Sequence, residues 1–297
     1  MPGSLAGKAA VVTGSGQSIG RAIAMLLAEE GAAVVVNSRT ATSRDGTPTA
    51  ADTAGEIVAA GGRAVPVFAD VGTMDGAAAV VDGCHAEFGS VDIVVNNAGF
   101  GPTVRIAEMA EAEWDAALAA NLKSCYATTH FAVPHMAEQG WGRIVNITSR
   151  VGLTGSPTMV AYAAAKAGMV GLTFALAKEL ASDGITVNCL APTANTVRAQ
   201  RTADERHALT GRVIPGSPNR TPEHVAPMVV HLAGDHAAGI TGQLFYAAAG
   251  EITLYNPPLP VRTIHKAGKW TVDELSTVAP AAFGATLDPP QSVLPPT

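Results

Sequence analysis

Tyr162 and Lys166 stand four residues apart in an alanine-rich segment with a helical pattern, so both side chains lie on one face. A phenol, with a reference pKa of about 10, is a poor acid at neutral pH. An ammonium one turn away favours the phenolate, and lowering the pKa by about three units requires roughly 4 kcal/mol. Ser149 follows the apolar run 143–148, and from that strand end its hydroxyl reaches the same point. Together these groups predict a proton donor or acceptor for a carbonyl that receives a hydride. Alone, the pair Tyr162 and Lys166 would more often be a solvated pair.

Three glycines, Gly14, Gly16 and Gly20, follow the apolar run 8–12 and open a helical pattern that extends to Glu30. Glycines at a strand-to-helix turn allow a pyrophosphate to approach the helix N-terminus, where unpaired N–H groups and the dipole favour an anion. In this context the glycines favour a dinucleotide-binding turn over an ordinary tight turn.

Valine- and isoleucine-rich runs alternate with helical patterns along the chain. The strand-like runs lie at 8–12, 33–37, 64–69, 91–95, 143–148 and 185–190, with a weaker run at 243–246. The helical patterns lie at 21–30, 50–60, 74–88, 113–137 and 159–182. Strands without polar alternation are typical of a parallel sheet covered on both faces. We therefore predict an α/β fold, a doubly wound Rossmann-type sheet in one catalytic domain over residues 1–250, with ligands beyond the carboxyl ends of the strands.

The composition changes after residue 250. Residues 251–297 hold eight of the 19 prolines and show weak helical periodicity. We predict a Pro-rich C-terminal extension that packs on the body or on a neighbouring subunit, with a loose end after about 285. The segment 197–220, rich in Arg, Thr, Gly and Pro, is interpreted as a mobile lid over the substrate.

Charge and composition exclude several classes of function. A net charge of −6 without a basic cluster argues against a nucleic-acid partner. Three cysteines without metal or redox spacing indicate a reducing, cytoplasmic location, and no signal peptide is recognisable. No apolar run is expected to cross a bilayer, so no membrane partner is predicted. His224, His231 and His236 lack companion ligands at metal spacing, so no metal site is predicted.

The motifs of this chain resemble, in order and spacing, those of the single-domain short-chain dehydrogenase/reductases. They are Thr13-Gly14-x-x-x-Ser18-Ile19-Gly20, Asn96-Asn97-Ala98-Gly99, Asn121, Ser149 and Tyr162-x-x-x-Lys166. The resemblance covers residues 5 to about 250 and is greatest to the 3-oxoacyl-ACP reductase and type 2 multifunctional hydroxyacyl-CoA dehydrogenase branches. Ser18 stands where the family usually has a glycine, and its hydroxyl could reach a phosphate.

The resemblance implies a role for each of four catalytic residues. Tyr162 would donate or accept the proton, and Lys166 would lower the pKa of that phenol and hold the nicotinamide ribose. Ser149 would hydrogen-bond the substrate oxygen. Asn121 would hold a water that links Lys166 to solvent; without the other three residues, an exposed helix asparagine would be the preferred interpretation.

The resemblance also implies contacts to a nicotinamide dinucleotide. Asp70 would accept from the adenine amino group, and Thr196 would donate to the carboxamide. The full set is Gly14, Ser15, Gln17, Ser18, Ile19, Gly20, Ser38, Arg39, Asp70, Val71, Asn97, Ala98, Gly99, Tyr162, Lys166, Pro192 and Thr196.

The end of the second strand bears on the choice of cofactor. NAD-linked relatives place an acidic residue there, whereas this chain has Ser38 followed by Arg39. Without a carboxylate a 2′-phosphate is not repelled, and a guanidinium binds it bidentately. NADP(H) is therefore favoured and NAD(H) remains possible, since Gln17 stands where many NADP-linked relatives have a basic residue. The alternative is that Arg39 faces water.

We predict an NAD(P)(H)-dependent oxidoreductase that interconverts a ketone and a secondary alcohol. One alternative is a 3-hydroxyacyl-CoA or acyl-ACP dehydrogenase using NAD, suggested by the insertion after Arg39, the short loop after Pro192 and the tail. Others are a non-catalytic dinucleotide-binding sensor or scaffold and a dehydratase or epimerase.

Arg105 and Arg150 are expected near the pocket mouth; Arg150 suggests an anionic substrate unless it faces outward. Apolar helices at 115–137 and 163–177 favour a homodimer or homotetramer.

Overall fold

One sheet of eight strands organises the chain. The structure is a computed structural model that describes residues 3–43, 46–211 and 219–284. The strands are β1 (Ala9–Val12), β2 (Ala33–Ser38), β3 (Arg63–Phe68), β4 (Ile93–Asn96), β5 (Gly142–Ile147), β6 (Ile185–Pro192), β7 (Leu244–Ala248) and β8 (Glu251–Tyr255). Their order is β3-β2-β1-β4-β5-β6-β7-β8; β1 to β7 are parallel, and β8 pairs antiparallel with β7.

Helices cover both faces of the sheet because successive strand residues point to opposite sides. Ala10 and Val12 pack with α1 (Ser18–Glu29), α2 (Ala50–Ala59) and α9 (Ala226–Ala233). Ala9 and Val11 pack on the other side with α3 (Met74–Phe88), α5 (Ser124–Gln139) and α7 (Val160–Glu179). The remaining helices are α4 (Glu111–Leu118), α6 (Arg150–Thr154), α8 (Val197–Thr210) and α10 (Val272–Phe283). The predicted doubly wound α/β fold is confirmed.

The strand order reverses between β1 and β4, which are neighbours in the sheet. In such sheets ligands bind outside the carboxyl ends of the strands at this reversal. The predicted site residues lie at these ends: 13–20 follow β1, 97–99 follow β4, Ser149 follows β5, and Thr196 follows β6.

Two elements differ from the sequence-based expectation. The predicted helix 113–137 is interrupted, because a π-helical turn over Ala119–Lys123 separates α4 from α5. π-turns occur frequently at functional sites, and this one contains Asn121. The sheet also continues past residue 250, since β8 adds an edge strand that proline content had assigned to the extension.

The chain divides into two compact units, Met1–Tyr255 and Asn256–Thr297. The second unit contains α10, which begins with a capping box between Thr271 and Glu274. Lys266 forms an ion pair with the same glutamate. The predicted loose end after 285, and the part of the predicted lid at 212–218, lie outside the described residues; the rest of that lid is largely helix α8. The packing of the extension stays a prediction.

Among the described residues, α7 has the length and apolar composition of a helix that could span a bilayer. The expectation that no such run exists was therefore wrong. The helix packs against β6 and buries Ala161, Ala165, Met169 and Thr173. Length and composition alone do not separate a spanning helix from a core helix of this kind.

Candidate active site

The turn after β1 is held by hydrogen bonds from the end of β4. Asn97 Nδ2 donates to Thr13 O at 3.0 Å and to Gly14 O at 2.9 Å. The main-chain N–H groups of Asn97 and Ala98 both donate to Thr13 Oγ1 at 3.0 Å. The side chain of Asn97 therefore positions the turn, a role that the predicted packing against the adenosine did not include.

The end of β2 holds the same turn from the other side. Asn37 Oδ1 accepts from Gly14 N at 3.1 Å, and its Nδ2 donates to Val67 O and Ala69 O at 3.1 Å. The Ser15 hydroxyl donates to Val12 O at 2.6 Å and accepts from Asn37 N at 3.0 Å. Ser15 is fully buried, and its main-chain N–H donates to Asn37 O at 2.8 Å, so both its hydroxyl and its N–H hold the turn against β2. Neither Asn37 nor this role of Ser15 was predicted.

The turn has the shape that a pyrophosphate requires. Gly14 has φ +60°, and a Cβ at Gly20 would lie 2.5 Å from both Asn97 Nδ2 and Gly14 O. Ser18 adopts φ +54°, a left-handed conformation that explains why a glycine is expected there. Gln17, the N-cap residue of α1, makes no side-chain capping bond, so the first N–H groups of the helix are not capped by this side chain. These groups fit a phosphate.

The ends of β2 and β3 present Ser38, Arg39, Asp70 and Val71. Ser38 Oγ donates to Thr40 O at 2.9 Å and accepts from Ala50 N at 3.2 Å, so this hydroxyl orders the segment before α2. Arg39 is exposed and forms no hydrogen bond or ion pair with another described residue. Asp70 Oδ1 accepts from Gly72 N at 2.9 Å, whereas Val71 is buried.

Ser149 and Tyr162 bring two hydroxyls together at the end of β5. Ser149 is the N-cap of α6 and accepts from Val151 N at 3.2 Å. Tyr162 is half-buried near the start of α7. Burial raises the pKa of Tyr162, while the charge of Arg198 and a hydrogen bond with Ser149 lower it.

Lys166 is buried below the phenol with 2% of its surface exposed. Nζ donates to Ile147 O at 2.7 Å and lies 5.7 Å from the centroid of the Tyr162 ring. Burial lowers the pKa of Lys166 to about 8, although the nearby Cys125 and Cys189 thiols act in the opposite direction. The sequence predicted that Lys166 lowers the pKa of Tyr162; in this structure its ammonium points to a β5 carbonyl, and the net shift of the phenol is upward.

Asn121 is fully buried in the π-turn. Its Nδ2 donates to Ala117 O at 2.7 Å and to Phe100 O at 2.5 Å, whereas Oδ1 is buried without a hydrogen-bond partner among the described residues. A Cβ at Gly99 would lie 2.2 Å from Asn121 Oδ1 and 3.3 Å from Lys166 Nζ. Gly99 therefore separates two polar atoms that converge on one small space, and the alternative interpretation of Asn121 as an exposed helix asparagine is excluded.

The loop after β6 ends at Thr196, the N-cap of α8. Thr196 Oγ1 accepts from Ala199 N at 3.0 Å, so its hydroxyl hydrogen is free for another acceptor. Pro192 is the last residue of β6. Two residues after Thr196, the Arg198 guanidinium donates to Gly99 O. Sequence reasoning missed Arg198, which carried no signal beyond its place in an Arg-rich segment.

The structure brings together Ser149, Tyr162, Lys166, Asn121 and Gly99. Arg150 is exposed, with its guanidinium 5.6 Å from the Tyr246 ring centroid, and Arg105 is half-buried. Within residues 3–43, 46–211 and 219–284, no group of three His, Cys, Asp or Glu side chains has a metal-binding arrangement.

Comparisons with known proteins agree with this geometry. A family model described as short chain dehydrogenase matches residues 8–208. The chain is 34% identical over 241 residues to a 3-oxoacyl-acyl-carrier-protein reductase of Thermotoga maritima, a match covering 81% of this chain and 96% of the relative. It is 39% identical over 238 residues to nodulation protein G of Azospirillum brasilense, a match covering 79% and 94%.

A solved structure of a short chain dehydrogenase from Mycobacterium avium is 35% identical and superposes with a TM-score of 0.84. That match covers 98% of this chain and 99% of the other. The family model spans most of the chain, and the relatives match it over nearly their full length. The chain therefore belongs to the short-chain dehydrogenase/reductase family and is an NAD(P)-dependent oxidoreductase acting on keto or hydroxy groups.

Proposed function

We propose that this enzyme interconverts a ketone and a secondary alcohol with Ser149, Tyr162, Lys166 and Asn121 as its acid–base groups. The observation that carries the proposal is that Ser149, at the end of β5, lies close enough to Tyr162 to lower the pKa of the phenol, with the buried Lys166 Nζ 5.7 Å from the centroid of the Tyr162 ring. A dinucleotide bound along the turn after β1 supplies or accepts the hydride.

In the reduction direction, the Ser149 hydroxyl orients the substrate oxygen and Tyr162 donates its proton to it. The resulting phenolate needs a positive charge nearby, and Lys166, whose Nζ donates to Ile147 O, is the buried residue that would provide it. Asn121 Oδ1 is a buried acceptor that fits a water or hydroxyl donor next to Lys166. Proton transfer of this kind contributes typically 10²–10⁴-fold to a rate.

NADP(H) is the proposed cofactor. Arg39 is exposed just after β2, forms no hydrogen bond or ion pair with other described residues, and follows Ser38 instead of a carboxylate. A planar guanidinium in this place binds a 2′-phosphate bidentately. We expect Arg39→Gln to weaken NADPH binding about tenfold or more and to leave NADH binding nearly unchanged. Equal effects on the two nucleotides would contradict the role of Arg39.

The substrate class is proposed from the relatives. One similar protein is named a 3-oxoacyl-acyl-carrier-protein reductase, so a 3-oxoacyl thioester is the first compound to test. A ketone panel should therefore include a 3-oxoacyl thioester, a cyclic ketone and an open-chain ketone, with oxidation of NADPH and NADH followed by absorbance.

A dinucleotide-binding sensor would bind NADPH tightly and turn over none of these compounds. The convergence of Ser149, Tyr162 and Lys166 favours the enzyme, because a sensor needs no phenol next to a hydroxyl. Turnover that is lost in Tyr162→Phe, with NADPH affinity retained, supports the proposal. Turnover that persists in this variant would overturn it.

The assembly and the location of the enzyme are further parts of the proposal. We propose a homodimer or homotetramer in the cytoplasm, with a small-molecule substrate. A hollow along α4, the π-turn and α5 supports self-association, since Leu118, Leu122 and Tyr126 line it together with Ala119 and the charged residues Asp115 and Lys123. Light scattering that gives the mass of one 30.1 kDa chain would overturn the oligomer.

A further inference from the structure

Arg198 reaches from α8 to the turn after β4. Its guanidinium donates to Gly99 O, and its central carbon lies 5.8 Å from the Phe100 ring centroid. Gly101, in the same turn, packs directly on the phenol, since a Cβ there would lie 2.5 Å from the Cβ of Tyr162. The segment 99–101 thus has a guanidinium and the phenol as close neighbours.

Glu205 acts on the Arg198 guanidinium through its charge without forming an ion pair with it. Within the part of the chain that the structure describes, Arg198 forms no ion pair with a carboxylate. Glu205, on the same helix, is paired with Arg201 at 3.5 Å. An arginine offers five N–H donors, and the one acceptor found for it is a main-chain carbonyl, so most of its positive potential remains available to neighbouring groups.

The phenol is surrounded by few charged groups. The groups that face Tyr162 are the Ser149 hydroxyl at the start of α6, Lys166 on its own helix and Arg198 from α8. Lys166 is turned toward Ile147 O. Arg198 and Ser149 are the groups that favour the phenolate, with Arg198 the larger influence.

We propose that Arg198 is a positioning residue for the acid–base step, whose guanidinium stabilises the phenolate of Tyr162 from α8. This inference rests on the proposed function for its catalytic meaning. When Tyr162 gives its proton to the substrate oxygen, the phenol O–H bond breaks, the substrate O–H bond forms, and the negative charge left on the phenolate lies near a fixed cation. The rate then depends on the docking of α8, because undocking this helix removes the cation.

A purely mechanical role predicts different results from the same variants. If Arg198 served merely to fasten α8 to Gly99 O, a neutral donor such as the amide in Arg198→Gln would partly replace it. If the charge matters, Arg198→Lys retains the effect and Arg198→Gln loses it. Arg201→Gln removes a positive charge from the same helix, from an exposed side chain paired with Glu205, and serves as the matched control.

The test measures ionisation of the phenol without turnover. The full-length protein is labelled with 3-fluorotyrosine, whose lower pKa brings ionisation into a milder pH range, and the four tyrosine signals are followed by ¹⁹F NMR against pH. Tyr162→Phe assigns the signal. We expect the midpoint of Tyr162 to rise in Arg198→Gln, to stay near the wild-type value in Arg198→Lys and to be unchanged in Arg201→Gln.

Because Arg198 is exposed, the rise should shrink at high salt, where the interaction is screened. The other three tyrosine signals report whether each variant is folded. An unchanged midpoint in Arg198→Gln, or an equal rise in Arg198→Gln and Arg198→Lys, would overturn the inference.

A kinetic measurement links the charge to catalysis. In the alcohol-oxidation direction, we expect kcat/KM of Arg198→Gln to fall about tenfold at a pH below the phenol midpoint and to recover at higher pH, since one pKa unit is a tenfold change in phenolate. A loss that is the same at every pH would contradict the charge role. A raised NMR midpoint in a protein that turns over no substrate would leave the inference standing and refute the proposed function.

Discussion

The turn after β1 and the group around Tyr162 lie at the same edge of the sheet but differ in how their polar atoms are satisfied. At the turn, the side chains of Asn37, Asn97 and Ser15 are all bonded to main-chain atoms. Around Tyr162, Asn121 Oδ1 is buried without a partner among the described residues. Burial raises the pKa of the phenol and lowers the pKa of Lys166, so it favours the neutral form of both groups.

This difference separates two kinds of polar side chain that look alike in a sequence. Bonded side chains fix the shape of the turn, so they are not the groups we expect to bind a ligand. Unpaired buried groups and shifted pKa values cost folding free energy and are typical of sites that bind or react. Variants of the turn should therefore change stability and nucleotide affinity, whereas variants near Tyr162 should change rate and pH dependence.

The largest expected effect is that of Tyr162→Phe. Removing the hydroxyl leaves the ring and its packing against Gly101 in place and takes away the proposed proton donor. We expect kcat to fall by about 10³-fold, within the range for general acid–base catalysis, with NADPH affinity changed less than about threefold. Stopped-flow or steady-state absorbance of NADPH measures kcat, and quenching of protein fluorescence measures the affinity for NADPH.

Tyr126→Phe is the matched control, because Tyr126 is 47% exposed on α5 and far along the chain from Ser149. Its kcat should equal that of the wild type. If Tyr162→Phe lowered NADPH affinity and the free energy of unfolding as strongly as kcat, the phenol would have a structural role like that of the side chains at the turn after β1.

The second effect concerns the pH dependence of stability through Lys166. Its pKa is lowered from 10.5 to about 8 by burial, so the unfolded chain holds the proton between these values while the folded chain has lost it. Unfolding then takes up a proton, and the contribution of this residue to the free energy of unfolding rises from pH 8 to pH 10.5. Below pH 8 the charged lysine costs about 3 kcal/mol.

Lys166→Met removes this titration. Denaturant unfolding from pH 7 to 9.5 should therefore show a free energy of unfolding that increases with pH in the wild type relative to the variant. Burial raises the pKa of each of the three cysteines to about 12, so in this range they ionise only in the unfolded chain. They are present in both proteins, and the difference between the two curves therefore reports on the lysine. Parallel curves would mean that Lys166 keeps an ordinary pKa in the folded protein.

Much of the fold could be predicted from the sequence, and so could the placement of Ser149 and Tyr162 at one edge of the sheet, because both depend on local patterns. Valine-rich strands and the order of the motifs place Ser149 and Tyr162 at one edge of a parallel sheet. β8 could not be predicted in this way, since an edge strand with Ile252 and Leu254 exposed looks like an amphipathic extension.

The contacts of individual side chains were less accessible to sequence reasoning. The polarity of Ser15 and Asn97 suggested ligand contacts, yet their partners are main-chain atoms brought close by neighbouring strands. Arg198 reaches Gly99 across 99 residues of sequence, and no spacing rule foretells such a contact. The π-turn at Asn121 likewise lies inside one continuous helical pattern, which gave no sign of the interruption.

The third effect tests the turn after β1 through Asn97→Ala. The variant leaves Thr13 O and Gly14 O without the amide donor, and buried groups that lose a partner cost about 1–3 kcal/mol each. We expect a loss of about 2 kcal/mol in the free energy of unfolding and weaker NADPH binding, with an unchanged pH profile of kcat. Asn219→Ala, at an exposed position, is the control and should be neutral. A shifted pH profile of kcat in Asn97→Ala would contradict this structural role and would show that Asn97 affects the acid–base step.

The smallest effect is expected from Ser18→Gly in the same turn. Ser18 has φ +54°, which costs a residue with a Cβ roughly 1–2 kcal/mol, whereas glycine adopts this conformation freely. The greater entropy of glycine in the unfolded chain offsets part of the relief, so thermal unfolding should show a gain of about 0.5 kcal/mol. NADPH affinity separates two interpretations of the serine: an unchanged affinity means that the main chain alone holds the phosphate, as the bonded side chains of this turn suggest. A tenfold weaker NADPH affinity would show that the Ser18 hydroxyl binds the phosphate directly. One side chain of this turn would then contact the ligand, whereas the others hold the main chain in place.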